Sequence, residues 1–316
     1  MTVRFHLPGL RYNFPINMIL LSLMKRCPHF FREGVEIASF FGEFPTSLWN
    51  GGRFSGGDQC DARFVKEVIK QYNGQGIPIR YTFTNPLLTE EDMKDPYCNF
   101  VMKAADNGMN EVIVYSPILE DYIRKNYPRF KINSTTCKEI LTFEALNDEL
   151  RKDYNMVVLD QNLNNHFDEY HKIIDIPRCE VLVNACCTPQ CPRRAEHYRM
   201  ISQQQRVALA NRSLPPEKKI PVPSWKCQYG EKTSLYVTKN YPTHISPDAI
   251  WEKYVPMGFC NFKIEGRTAN IFLLIDTYCY YLCKPEYRDE ARMVLLANLE
   301  ANHLVVVNRP RPGIWP

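Results

Sequence analysis

The sequence lacks an apolar run long enough to cross a bilayer. The stretch nearest the start, Ile16 to Met24, falls short of the roughly 20 residues a spanning helix needs, and no small-residue cleavage site follows it. That predicts no membrane span and no exported form, so a cytoplasmic protein with reduced thiols is expected. It also lacks the motifs of several enzyme classes. No glycine-rich phosphate loop follows the first predicted strand, which argues against an open dinucleotide-binding sheet. No G-x-S-x-G elbow and no H-E-x-x-H pair is present, which argues against a serine hydrolase or a zinc peptidase. A C-x3-C-x2-C triplet is missing too, so radical adenosylmethionine chemistry is not supported. Nor is there a strong charge of either sign. At +4 over 316 residues the chain is too mildly basic to imply nucleic acid or a membrane surface from charge alone.

What is present is a repeating pattern of strand and helix. Strands are predicted from Thr2 to Leu7, Val35 to Phe40, Ile77 to Phe83, Glu111 to Tyr115, Phe130 to Thr135, Met156 to Asp160, Glu180 to Asn184 and Asn261 to Glu265. Helical patterns follow them, from Pro15 to Met24, Asp61 to Tyr72, Asp95 to Asp106, Leu119 to Asn126, Phe143 to Lys152, His166 to Ile174 and Asn270 to Leu282. Eight such units describe a (β/α)8 TIM-type barrel, one domain over residues 1–316. An insertion over residues 188–258 follows the seventh strand. It holds a helical segment from Ala195 to Asn211, a proline-rich stretch and a short hairpin expected around Tyr229 to Val237.

In such barrels chemistry sits at the carboxyl ends of the strands. The seventh strand ends in Asn184-Ala185-Cys186-Cys187-Thr188-Pro189-Gln190-Cys191-Pro192, where two prolines deny the loop a helix and let Cys187 and Cys191 curl toward one point. In a reducing compartment, clustered cysteines point to metal or catalysis rather than to disulfides. The eighth strand, Phe262-Lys263-Ile264-Glu265-Gly266-Arg267, carries an alternating face. The two-residue period turns Phe262 and Ile264 to the helices and Lys263, Glu265 and Arg267 into the barrel, where unpaired charge is costly. A polar, partly cationic mouth suits an anionic or strongly hydrogen-bonding ligand. A Lys263–Glu265 ion pair that only fixes strand phase is the plainer account. Arg80, Thr82 and Thr84 on the third strand extend the polar interior if they share the inward phase.

The run from Val181 to Ser202, VLVNACCTPQCPRRAEHYRMIS, resembles the strand-and-loop signature of the U32 peptidase (collagenase-like) family. The run from Pro247 to Arg267, ending GFCNFKIEGR, is similar to that family's other signature. With the barrel pattern, the resemblance covers the chain from about Val35 to Tyr287. It implies a barrel protein whose relatives hold an iron–sulfur cluster, a 4Fe–4S cluster above all, through cysteines, some of them in oxygen-independent hydroxylation of a quinone precursor or of RNA bases.

Cys187 and Cys191 would then supply two thiolates and Cys227, returning from the insertion, a third. Asn184, His197 and Tyr198 would orient them, and Lys263, Glu265 and Arg267 would position the substrate. The fourth ligand stays open among Cys186, Cys260, Cys60 and none. Three other readings stand beside the cluster: a closed zinc site completed by His197, a Cys187–His197 nucleophilic dyad, and cysteines that only pack. The partner is a small molecule or RNA, the latter from the basic edge Arg193, Arg194, Lys218 and Lys219 with Tyr198 and Trp225 to stack on bases. A related barrel subunit is a further partner to consider.

Overall fold

The structure is a computed structural model that describes residues 2–52, 58–227, 235–266 and 270–304. Eight parallel strands, β1 (Val3–Pro8), β2 (Val35–Gly42), β3 (Ile79–Phe83), β4 (Glu111–Val114), β5 (Lys131–Asn133), β6 (Val157–Leu159), β7 (Cys179–Leu182) and β8 (Asn261–Lys263), pair in the order β5-β4-β3-β2-β1-β8-β7-β6. The two ends of that order meet through a parallel bridge, Asn133 with Met156, reinforced by the Ser134 amide donating to the Met156 carbonyl at 2.9 Å. The expected (β/α)8 barrel is therefore what the chain forms.

Helices α1 (Phe14–Arg26), α2 (Ala62–Asn73), α3 (Pro96–Ala105), α4 (Pro117–Asn126) and α5 (Phe143–Leu150) follow the first five strands. After β8 come α7 (Ile271–Leu282) and α8 (Arg288–Ala301), while the insertion contributes α6 (Arg194–Ala210). Local chemistry sets several helix starts. Asp61 accepts the Phe64 amide at 2.7 Å, Asp95 the Cys98 amide at 2.7 Å, and Thr142 the Ala145 amide at 3.2 Å, each an N-cap on an otherwise orphan donor. The helix expected from His166 to Ile174 is instead a 3-10 run, Phe167–Lys172. His166 makes no side-chain cap there, and Pro177 soon follows. The hairpin expected around Tyr229 to Val237 falls mostly outside the described residues, and its end lies in a helical turn, Leu235–Thr238. Among the described residues no helix is long and apolar enough to cross a membrane.

The outward faces of the strands feed one continuous apolar core against the helices, with Phe5, Tyr81, Val112, Val181, Phe262 and Ile264 all buried. The inward faces are different, because the lower barrel is filled by charge rather than by branched apolar side chains. Arg80 is fully buried; its Nε donates to Glu111 at 2.6 Å and its Nη1 to Glu180. Glu180 also takes Lys263 Nζ at 3.1 Å, and His6 Nε2 stands 3.8 Å away. Above this charged floor, Phe41, Ile113, Val158 and Leu182 form an apolar collar. Such a network tolerates its burial only while every member is paired.

His6 reports on this interior. Burial, then Arg80, push its imidazole well below the usual 6.5, against the opposing pull of Glu180, and its ring nitrogens bond Ser39 at 2.8 Å and Asn261 at 3.3 Å. Burial likewise takes His244 down to about 4. Both rings stay neutral in the folded chain while the unfolded chain protonates them near 6.5. Stability is therefore complete above about pH 7 and falls as pH drops through the histidine range, before the carboxylates titrate. Urea denaturation at pH 7 and pH 5 should show this loss, and a His6→Gln variant should show a shallower dependence. Equal slopes for the two proteins would mean that His6 takes no part.

Candidate functional site

At the top of the barrel β7 and β8 stop pairing, and Asn184 takes over from the ladder. Its Nδ2 donates to the Glu265 carbonyl at 3.0 Å, and its Oδ1 accepts the Glu265 amide at 2.7 Å. The Glu265 carboxylate in turn accepts the Cys186 amide at 2.8 Å, so one acidic residue pins the start of the cysteine loop. The far side of the loop is held by the β6 turn. Asn162 accepts the Gln190 amide at 2.8 Å, Gln161 reaches the Cys187 carbonyl at 3.4 Å, and Gln190 itself sits at a positive φ of 54°.

These restraints bring two of the three expected sulfurs together. Cys187 and Cys191 are neighbouring free thiols, and burial followed by this neighbour pushes Cys187 up to about 12. Arg194, by opposing that shift, places a cation beside the pair. Cys186 faces the other way, toward the Asn184 carbonyl at 3.7 Å and the ring of Tyr281. Cys260 is far from the loop, at the amino end of β8, where it bonds the Pro177 carbonyl and neighbours Cys179. Cys60 lies beside Arg11 and Asp58.

Cys227 returns along α6 by a strap. Asn211 brackets Ile220 with two hydrogen bonds of 2.7 and 2.8 Å, Gln204 donates to the Pro223 carbonyl at 2.8 Å, and Trp225 stacks on His197 with ring centroids 5.3 Å apart. Arg193 lies over the same indole at 4.1 Å and feels the charge of both Cys191 and Cys227. The indole that was expected to stack on a base is thus engaged within the chain. The third thiol reaches the same end of α6 as the other two. Among the described residues, however, no three His, Cys, Asp or Glu side chains stand close enough to hold a metal ion. The residue types are those a thiophilic group would need, with two thiols neighbouring and the third at the same end of α6 but outside any formed metal site.

Glu265, which pins the loop, also lines a cavity of about 700 Å³, counting the space at its open mouth. The apolar collar rings it above the charged floor, Thr82, Thr84, Thr135 and Thr136 give it hydroxyl walls, and Tyr198 and Ile201 of α6 roof it. Lys263 lines it as well. Lys263 pairs downward with Glu180 and sits 4.5 Å from the centre of the Phe41 ring, so its charge belongs to the floor network. Arg267 lies outside the described residues. Thr82 passes a hydrogen bond to Glu43 at 2.9 Å while taking one from Asn50 at 3.2 Å, which fixes the direction of that chain.

Two features were missed in the sequence. Cys137 lines the cavity although only its packing was expected, and Glu180 organises the floor. The latter had a signal: an acidic residue in the otherwise apolar run Cys179–Val183 must point inward to a partner.

No family model matches the chain. A segment of 109 residues, 34% of this chain, is 28% identical to the uncharacterized protease MJ1657 of Methanocaldococcus jannaschii. The match spans about a third of that relative's length. Among solved structures, the U32 peptidase Mk0906 aligns with a TM-score of 0.49 and 13% identity, over 84% of this chain and 92% of that one.

Proposed function

Because this chain resembles the U32 peptidase family and folds as a (β/α)8 barrel, we propose that it binds an iron–sulfur cluster through Cys187, Cys191 and Cys227 and modifies a small ring-bearing substrate in the cavity below. What supports this reading is the pair of neighbouring thiols on the loop after β7, a loop pinned by Glu265, which also lines a cavity with an apolar collar and hydroxyl walls. When bound, a cluster supplies one-electron redox chemistry, and oxygen-independent hydroxylation is the reaction that the resemblance implies. The chain's own residues do the rest. Glu265 and Asn184 hold the loop, the threonines bond the polar edge of the substrate, and Lys263 and Glu180 fix the floor. A cytoplasmic setting of low oxygen suits partly buried, reduced thiols.

The peptidase reading draws on the name of the curated relative. It is less well served by the thiol. Burial and the neighbouring Cys191 raise the Cys187 thiol, which disfavours the thiolate that a nucleophile needs. A bound metal, by contrast, displaces that proton as it binds.

Anaerobic reconstitution with iron and sulfide tests the proposal. A brown protein carrying iron and acid-labile sulfide in equal amounts is the expected product. A colourless protein that takes one zinc per chain would replace the cluster by a structural metal. Peptide cleavage by the metal-free chain, lost in Cys187→Ala, would favour the peptidase. A loaded but inactive protein that co-purifies with a second barrel would make it a partner subunit.

A further inference from the structure

Helix α6 lies across the barrel mouth, and the way it is attached is unlike that of every barrel helix. None of its side chains belongs to the apolar core, and its buried residues are Arg194, Ser202 and Gln205. It is held instead by polar ties to four separate loops. At its amino end Arg194 is buried against Asp160, with Glu139 3.7 Å from its Nε. In the middle the Ser202 hydroxyl reaches the Gly51 carbonyl at 3.3 Å. Near its carboxyl end Arg206 pairs with Asp92 at 2.9 Å, and just beyond it Arg212 donates to the Asp58 carbonyl at 2.6 Å.

The ties are graded. The Arg194 and Asp160 side chains are 4% and 1% exposed, whereas those of Arg206 and Asp92 are 34% and 10% exposed. Salt screens exposed charges far more than buried ones. One end of α6 is thus fixed and the other releasable.

We propose that α6 is a lid, pivoting at Arg194–Asp160 and unlatching at Arg206–Asp92, that admits small ligands to the cavity it roofs with Tyr198 and Ile201. An element with few apolar contacts opens at a lower free energy than the core it covers. Gly52 is what lets the lid seat. A methyl group added there would stand 2.8 Å from the Ile201 carbonyl oxygen, and the glycine's φ of +99° disfavours other residues. The ties that seat it, to Asp160, Gly51, Asp92 and Asp58, include no cysteine.

Hydrogen exchange on the purified full chain, read by mass spectrometry, tests it without any loaded metal. Amides of α6 should exchange at least about tenfold faster than those of α2, and faster still when salt rises from about 0.1 to 1 M, with α2 unchanged. Arg206→Ala should give the high-salt rate at low salt. Gly52→Ala should do the same by lifting the helix sterically. An α6 as protected as α2 in the unmodified chain, or one indifferent to salt and to Arg206→Ala, would overturn the lid whatever the fate of Gly52→Ala.

Discussion

Arg80→Met is expected to cost about 3–5 kcal/mol of folding stability, among the largest effects open to any substitution outside the thiol loop. The guanidinium is fully buried and bridges β4 and β7 through Glu111 and Glu180, with Met156 Sδ 3.2 Å from its third nitrogen. Methionine replaces the apolar stem but not the guanidinium, and so takes from Glu111 and Glu180 the buried cation they share. The cost comes from the stranded charges more than from a lost attraction, so Arg80→Met with Glu180→Gln should recover part of it. Urea unfolding with a lower midpoint and an unchanged slope would verify the first, and the double variant the second. A loss below about 1 kcal/mol in Arg80→Met would show that the floor is wetter than its burial implies.

The same network sets an acid limit. Burial alone would raise the Glu180 carboxyl, but Lys263 and then Arg80 hold it well below the usual carboxylate range. A depressed carboxylate contributes stability that is complete above its unfolded value near 4.5 and lost as pH falls below it. Acid unfolding should therefore show two stages, the histidines first and Glu180 below them. Removing Lys263 or Arg80 should bring the second stage to higher pH.

How much of this was legible depends on whether a residue's task is local. The alternation in Phe262-Lys263-Ile264-Glu265 is a property of one strand, so Phe262 and Ile264 in the core and Lys263 and Glu265 lining the cavity follow from a two-residue period. Arg80, Thr82 and Thr84 share the inward phase for the same reason. Partners across the barrel are another matter. Lys263 is two residues from Glu265, yet its cation lies on Glu180 of the neighbouring strand, a choice made by register between β7 and β8 and by no pattern within either. The roof was hidden for a related reason. Helix α6 carries almost no apolar stripe, and its seat is a set of arginine ties to Asp160, Asp92 and Asp58 that are distant in sequence. The cysteine loop was readable because two prolines and a C-x3-C spacing act within ten residues. The return of Cys227 was readable only as a possibility of reach, since Trp225 on His197 is a tertiary contact.

Cys187→Ala and Cys191→Ala should each abolish cluster loading, whereas Cys186→Ala, one residue away, should load like the unmodified chain. Cys187 and Cys191 face each other, while the Cys186 thiol is turned to the Asn184 carbonyl and Tyr281. Cys227 poses the finer question, because its thiol must be delivered. Trp225, held by Arg193 and His197, restricts the strap to the neighbourhood of Cys191 and so raises the local concentration of the Cys227 thiol there. Trp225→Ala keeps every cysteine and frees the strap, so it should weaken iron retention about 10- to 100-fold against a chelator, the effect typical of an orienting group. Cys227→Ala should lose the metal outright if that thiol is a ligand. Iron, sulfide and absorbance after anaerobic reconstitution, followed by chelator challenge, separate these cases. Full loading of Cys227→Ala with loss in Cys137→Ala would move the third ligand to the cavity wall, and equal loss in Cys186→Ala and Cys187→Ala would place the metal on the opposite side of the loop.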